Sequence, residues 1–408
     1  MVTAETRPPT DAVAPDADAV IREARRRRRR RWLLWAAVTV VVAAAVAGIT
    51  ATVLRDSSPP PGHPTRPTQG APSSAPGAVP PAAVRPDAPG ALAVAPDGGL
   101  YVADDRRNEI LERLPGGAFG VVAGTGTAGF AGDGGPATAA EIDRPGGMVV
   151  APDGTLYFAD AGNGRVRAVS PAGIITTVVG GGGREGGQGG GQGGSPGGGW
   201  VVDGTPAGRA ALSTPTAVAL SPAGELYVAD GQQVLAVQPD GTLTAVLGHR
   251  GPLQGLAGVG GPAVDASADG AAGLAFDGAG DLFVFGEATK SVLMVTPDGT
   301  LAGVPGTLYP RGYGGLASGP AGTVLAMDGG SVVRLTPAGE QAVVTFPSGP
   351  DQPDRYLGIR NFTPAGIAVG PDGTVYVDTN PDGGFADASA IAAVRPDGAG
   401  TLLWRAGS

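Results

Sequence analysis

The sequence contains no cysteine, so disulfides, thiolate metal sites and cysteine nucleophiles are excluded. Histidine occurs only at His63 and His249. That removes every mechanism needing two imidazoles, His-rich zinc sites included. Aromatic residues are 5% and charged residues 16% of the 408 positions, so an aromatic ring in a loop stands out. Glycine (73) and proline (39) together exceed a quarter of the chain, which is a low-complexity composition unless the two recur at a structural period. With 42% hydrophobic side chains, the chain can build two or three ordinary cores or one large repeat domain.

Charge is unevenly placed. Residues 1–56 hold 10 arginines against 6 acids, whereas the rest holds 18 basic against 31 acidic groups. From Trp32 to Leu54 runs an uncharged stretch of 23 residues, long enough at ~1.5 Å per residue to cross a bilayer as a helix. Seven consecutive arginines, Arg25 to Arg31, precede it. The positive-inside bias then predicts a cytoplasmic N-terminus and an extracytoplasmic C-terminal bulk. A cleaved signal peptide ending at Ala45-Val46-Ala47, or a twin-arginine signal at Arg30-Arg31, would export the same bulk. Lipid headgroups and topology explain the arginine block without nucleic acid. Residues 57–88 carry ten prolines and almost no large apolar side chain, which reads as a disordered stalk reaching up to roughly 100 Å if polyproline II.

Beyond Pro89 one unit recurs six times, beginning at Pro89, Pro145, Pro215, Ala271, Gly314 and Pro364. Each unit carries two Pro-x-Gly turns, such as Pro96-Asp97-Gly98 and Pro115-Gly116-Gly117; the first turn of the fourth unit lacks its proline. Proline presets φ and glycine supplies the positive φ that closes a tight turn. Short β-branched and aromatic runs such as Leu100-Tyr101-Val102 lie between the turns, giving four short strands per unit. Units this small cannot bury their own faces, and a radial arrangement satisfies all six at once. The expected fold is all-β: a six-bladed β-propeller after a single N-terminal transmembrane helix and a disordered Pro-rich linker. The expected domains are a cytoplasmic tail over 1–31, the membrane helix over 32–54, the linker over 55–88 and the propeller over 89–408, with repeats at 89–124, 145–180, 215–248, 271–304, 314–346 and 364–404. An open solenoid is the alternative, though it needs capping elements at its ends.

The unit resembles the NHL repeat, whose pattern is Pro-x-Gly-Val-Ala-Val, a turn, Leu-Tyr-Val-Ala-Asp, then Asn-x-Arg-Ile. The second unit matches it through Asp160, Asn163, Arg165 and Val166. The segment GDGGPATAAEIDRP at 132–145, echoed by DGTPAGRAALSTP at 203–215, resembles the inter-blade segment of bacterial NHL proteins. Departures are Arg107 and Glu109 at the Asn and Arg positions of the first unit, and Gly286 and Thr379 in place of the strand-end Asp. The resemblance implies a propeller and admits amidating lyases with metal-bound histidines, lactonases and lyases. A histidine-dependent lyase does not fit a chain whose one candidate histidine is His249.

Asp104, Asp160, Asp230 and Asp328 recur directly after a strand. A ring of carboxylates for a cation is one reading. Turn chemistry, in which each carboxylate caps nearby backbone amides, is the reading adopted here, with Asn163 and Arg165 as further structural motif residues. No metal, cofactor or catalytic residue is expected. The 14 glycines among residues 180–199 lack the Gly-Lys-Ser ending of a phosphate loop and read as an insertion between blades. Long connectors at 125–144, 181–214, 249–270, 305–313 and 347–363 are expected to cluster as a recognition rim. Their aromatics Phe130, Trp200, Tyr309, Tyr313, Tyr356 and Phe362 are the candidate contacts.

The expected function is a membrane-anchored, extracytoplasmic sensor or binding module without catalysis, acting on an unknown extracytoplasmic protein or cell-envelope ligand. The composition fits an actinobacterial genome. Nucleic acid is not expected as a partner of so acidic an exported part. The competing class is a lactonase-like hydrolase or lyase acting on a small exported metabolite or cell-wall sugar. The segment before Trp32 holds no kinase signature, so a signal is expected to pass through a partner.

Overall fold

A computed structural model describes residues 84–182, 200–248, 258–268, 270–287, 291–308, 315–328, 331–345, 364–379 and 390–405. The apolar run Trp32–Leu54, the proline-rich segment up to residue 83, His63, His249 and most of the glycine insertion lie outside them. Among the described residues no helix is long and apolar enough to cross a membrane.

Six sheets of four antiparallel strands make up the described chain. Blade one is β1 (Pro89–Val94), β2 (Leu100–Asp104), β3 (Glu109–Arg113) and β4 (Phe119–Ala123). Blade two is β5 (Pro145–Val150), β6 (Leu156–Asp160), β7 (Arg165–Val169) and β8 (Ile175–Val179). Blade three is β9 (Pro215–Leu220), β10 (Leu226–Asp230), β11 (Gln233–Val237) and β12 (Leu243–Leu247). Blade four is β13 (Ala271–Phe276), β14 (Leu282–Gly286), β15 (Ser291–Val295) and β16 (Leu301–Leu308). Blade five is β17 (Leu316–Gly319), β18 (Thr323–Asp328), β19 (Ser331–Thr336) and β20 (Gly339–Thr345). Blade six is β21 (Pro364–Val369), β22 (Val375–Thr379), β23 (Ala390–Val394) and β24 (Gly400–Arg405).

The first strand of every blade is the innermost. These six strands contact one another in order, and β21 returns to β1. The ring is closed, as a six-bladed propeller, and the solenoid is set aside. Turns of the Pro-Asp-Gly type make each sharp reversal: the Asp153 Oδ1 accepts the Thr155 amide at 2.9 Å, and Gly154 sits at φ +86°. The core is not one central mass but six apolar layers between neighbouring blades. The layer between blades three and four holds 16 buried side chains; the one between six and one holds seven.

Three of the connectors are regular devices rather than free loops. Residues 136–140 (PATAA), 206–210 (PAGRA) and 262–266 (PAVDA) each form a short 3-10 turn after a proline, with the first and last alanine buried. In the first, Gly134 donates to Ile175 C=O at 2.8 Å, Ile175 donates to Gly135 C=O at 3.1 Å, and Ala137 donates to Gly173 C=O at 2.8 Å. Gly124 closes the device by donating to Ala137 C=O at 3.0 Å. The same four bonds recur around Ala207 and Ala263. Each connector therefore doubles as a clip, covering the outer edge of the next blade. The alanine-rich turns in these connectors join neighbouring blades. Gly124 is required: it adopts φ +97°, and a Cβ would strike the Asn108 carbonyl.

Every blade supplies its own four strands, so no strand is borrowed to seal the ring. Residues 84–88 take the place of a clip ahead of blade one: Val84 forms a β-bridge to Phe119, its N–H donating to Phe119 C=O at 2.8 Å.

Candidate functional site

The strand-end carboxylates hold the chain where it turns into each blade. Asp104 accepts the amides of Asp87 (2.6 Å), Ala88 (3.2 Å) and Arg107 (3.2 Å). Asp160 accepts the Asp143 amide at 2.8 Å and the Asn163 side-chain amide at 2.9 Å. Asp230 accepts the Ser213 amide at 2.9 Å and the Thr214 amide at 2.7 Å. All three are buried. Burial raises their pKa values above the usual carboxylate range, opposed by the donated hydrogen bonds. Asp160 is pushed up to about 6, with burial the main cause and the Arg167 charge working against it. Where blade four has Gly286 in place of the aspartate, a backbone bond from Glu287 to Gly270 C=O at 3.0 Å serves instead. In blade six Thr379 stands at that position, and Asp378, one residue earlier, accepts the Gly366 amide. Asp328 ends β18, with its backbone paired to Ser331.

Blade two carries a polar cluster with no counterpart in its neighbours. Arg167 on β7 is fully buried. Its Nη2 meets the Asp133 carboxylate at 2.7 Å and its Nη1 lies 3.6 Å from Asp160. It also donates to the carbonyls of Glu141 (2.8 Å) and Ala131 (3.2 Å). The same register position, paired across to the middle of the second strand, is Leu111, Leu235 or Leu293 in blades one, three and four. The guanidinium therefore ties the connector 129–143 to β7. Asn163 adds a bond to Gly129 C=O at 2.7 Å. A leucine position occupied by arginine, with Asp133 in the preceding connector, is the sequence signal for this cluster; it went unread because only the fold brings the two together.

Phe130 belongs to the same assembly. It is 38% exposed, with the Arg165 guanidinium 3.8 Å and the Arg167 guanidinium 5.1 Å from the ring centre. Trp200 occupies the equivalent place in the next connector, six residues before the proline of the clip, and is half-buried. The residue after it, Val201, is held by Gln233, whose Oε1 accepts the Val201 amide at 2.9 Å. Tyr309, Tyr313, Tyr356 and Phe362 lie outside the described residues.

Two regions remain in which chemistry could sit. The innermost strands read PGALAV, PGGMVV, PTAVAL, AAGLAF, LASG and PAGIAV, without one titratable or amide side chain. Their two hydroxyls are engaged: Thr216 donates to Ala271 C=O, and Ser318 accepts the Phe276 amide at 2.9 Å. Among the described residues no three His, Asp or Glu side chains are grouped to hold a metal. The face bearing the first and third turns of each blade is acidic. Its turns hold Asp97, Asp153, Glu225, Asp240, Asp277, Asp281, Asp298, Asp372 and Asp397 against Arg395 alone. Tyr101, Tyr157, Tyr227 and Tyr376 stand at one register position beside this face, and burial together with the neighbouring carboxylates raises each phenol.

Six closed four-stranded blades with a repeated Asp-clamped second strand define the protein as a six-bladed β-propeller. The Teneurin NHL domain family model matches residues 119–189, which are the outer strand of blade one, the first clip and all of blade two. Over that stretch the chain is similar to an NHL repeat, while the six-bladed propeller is the fold of the described chain. Teneurin-1 of Mus musculus is 38% identical over 93 residues, covering 20% of this chain and 3% of the relative, and Teneurin-1 of Homo sapiens matches to the same extent. The chain thus spans about 3% of the length of the curated relatives it matches. Among solved structures, a streptogramin B lyase overlaps with a TM-score of 0.47 at 13% identity, over 78% of this chain and 83% of that one. A putative gluconolactonase overlaps with a TM-score of 0.47 at 19% identity, over 72% and 86%. A chain of a nidogen/laminin complex gives 0.44 at 13% identity, over 73% and 89%. Overlaps of this depth carry no chemistry across.

Proposed function

We propose that this chain is a membrane-anchored, extracytoplasmic NHL propeller that binds a protein or cell-envelope ligand and performs no catalysis. One observation carries the reading. The innermost strands, which line the centre of the ring, offer only aliphatic, aromatic and proline side chains and one methionine, with two engaged hydroxyls. General acid–base, nucleophilic or metal-assisted chemistry needs a titratable group within hydrogen-bond reach of substrate, and these strands supply none. The buried carboxylates of the blades are likewise engaged with backbone amides.

Anchoring rests on the uncharged run Trp32–Leu54 behind its arginine block. Phe130 and Trp200 are the rim aromatics that such a partner would meet. The acidic turn face repels phosphate backbones and requires cationic groups of any partner that engages it.

Affinity capture with the full chain from envelope extract tests the reading. A saturable partner whose binding survives metal chelation is expected, together with no turnover of lactones or glycosides. Turnover abolished by replacing one carboxylate would sink the proposal in favour of the hydrolase reading.

A further inference from the structure

The six junctions of the ring are not equivalent. Between blades one and two, two and three, and three and four, a covalent connector forms a clip with four backbone hydrogen bonds. Between six and one there is no covalent connection, because the chain runs into the ring there from residue 83. The segment Val84–Ala88 lies where a clip would lie. Among the described residues it makes one backbone bond to the outer strand, Val84 N–H to Phe119 C=O at 2.8 Å. Two further amides, of Asp87 and Ala88, reach the Asp104 carboxylate at 2.6 and 3.2 Å. The Val84 side chain packs in the cluster that includes Phe119 and Leu111 of blade one with Ile391, Leu403 and Trp404 of blade six. That cluster has seven buried members, with Val84 among the half-buried side chains packed on it.

We propose that Val84–Ala88 is a releasable strap across the seam between blades six and one, so that whatever seizes or pulls the preceding chain acts on the seam before it acts on any other junction. Val84 packs on a cluster drawn from the first and the last blade, and the five residues continue directly into β1. A pull along the preceding chain loads the Val84 backbone bond and the two amide–carboxylate bonds at Asp104. Once these part, no covalent connector holds the seam, whereas every clipped junction keeps its own. The strap concerns closure of the ring and does not depend on what the propeller binds.

Because the chain lacks cysteine, paired labels can be placed at will. Asp97→Cys with Asp372→Cys reports on the seam; Asp153→Cys with Glu225→Cys reports on the clipped junction between blades two and three. All four sites are exposed turn residues. In the full chain, Val84→Pro removes the amide donor, and Val84→Ala keeps it while trimming the side chain. Spin-label distances across the seam are expected to lengthen and broaden in Val84→Pro, with Val84→Ala intermediate and the control pair unchanged. Amide exchange in β2 and β22 should quicken about tenfold, with β10 unaffected. Equal change at both pairs, or change at neither, overturns the strap; if the proline variant does not fold, the alanine variant decides by the same comparison.

Discussion

Blade two is fixed to blade one by a covalent connector, four backbone hydrogen bonds and a buried guanidinium. Blade six meets blade one through seven buried side chains, half-buried ones around them, and a five-residue segment arriving from elsewhere in the chain. Both junctions use the strand-end aspartate in the same way, since Asp104 and Asp160 each accept amides from the residues just before the innermost strand. What differs is what lies outside that clamp. A repeat protein distributes its stability as nearest-neighbour interfaces, and here the interfaces are unequal: the seam between blades six and one has no covalent connector, and it is where the N-terminal chain is attached.

The sharpest way to break the contrast is to remove the guanidinium. Arg167→Leu supplies the residue found at that register in blades one, three and four, yet it leaves Asp133 and Asp160 without their cation. A loss of about 3 kcal/mol or more is expected in urea unfolding, with faster exchange in the connector. An unchanged midpoint would mean that the cluster adds nothing to this junction. Next in size is Gly124→Ala, where the new Cβ meets the Asn108 carbonyl at positive φ; about 3 kcal/mol is expected. Gly98→Ala, at φ +92° with nothing nearby, isolates the conformational part and should cost about 1 kcal/mol.

A pH series separates the two aspartates. The folded pKa of Asp160 lies near 6, above its unfolded value, so the folded state binds this proton more tightly. The fold accordingly gains stability as pH falls through 6 towards 4, by up to roughly 2 kcal/mol. Wild type should gain on Asp160→Asn between pH 7.5 and 5, and an opposite slope would contradict the burial argument. Smallest is Phe130→Ala, which removes one partly exposed ring from Arg165 and Arg167; about 1 kcal/mol is expected. A larger drop in partner capture than in stability would assign Phe130 to recognition rather than to the clip.

Much of the architecture is readable from local pattern. The Pro-x-Gly turns and the runs between them are short-range signals, and they place the strands of each blade close to where the structure has them. The recurring Asp after the second strand is equally local, and its amide partners follow from turn chemistry. The clips were half-visible: PATAA and PAGRA were noticed as an echo, whereas PAVDA at 262–266 was not, and nothing in their composition tells an exposed loop from a buried alanine turn. Arg167 reads as an ordinary surface arginine in a strand, because the side chains that neutralise it come from a connector 26 to 36 residues earlier.

The sequence alone determined the number of blades, the strand order within each and the positions of the tight turns, because those depend on residues a few places apart whose backbone preferences need no partner. Tertiary structure decided how the ring closes, which connectors are clips, and that an arginine is buried. Each of these depends on which distant segments meet: Val84 and Trp404 pack on the same buried cluster although 320 positions separate them. Only the geometry of six blades sharing one axis brings those residues together.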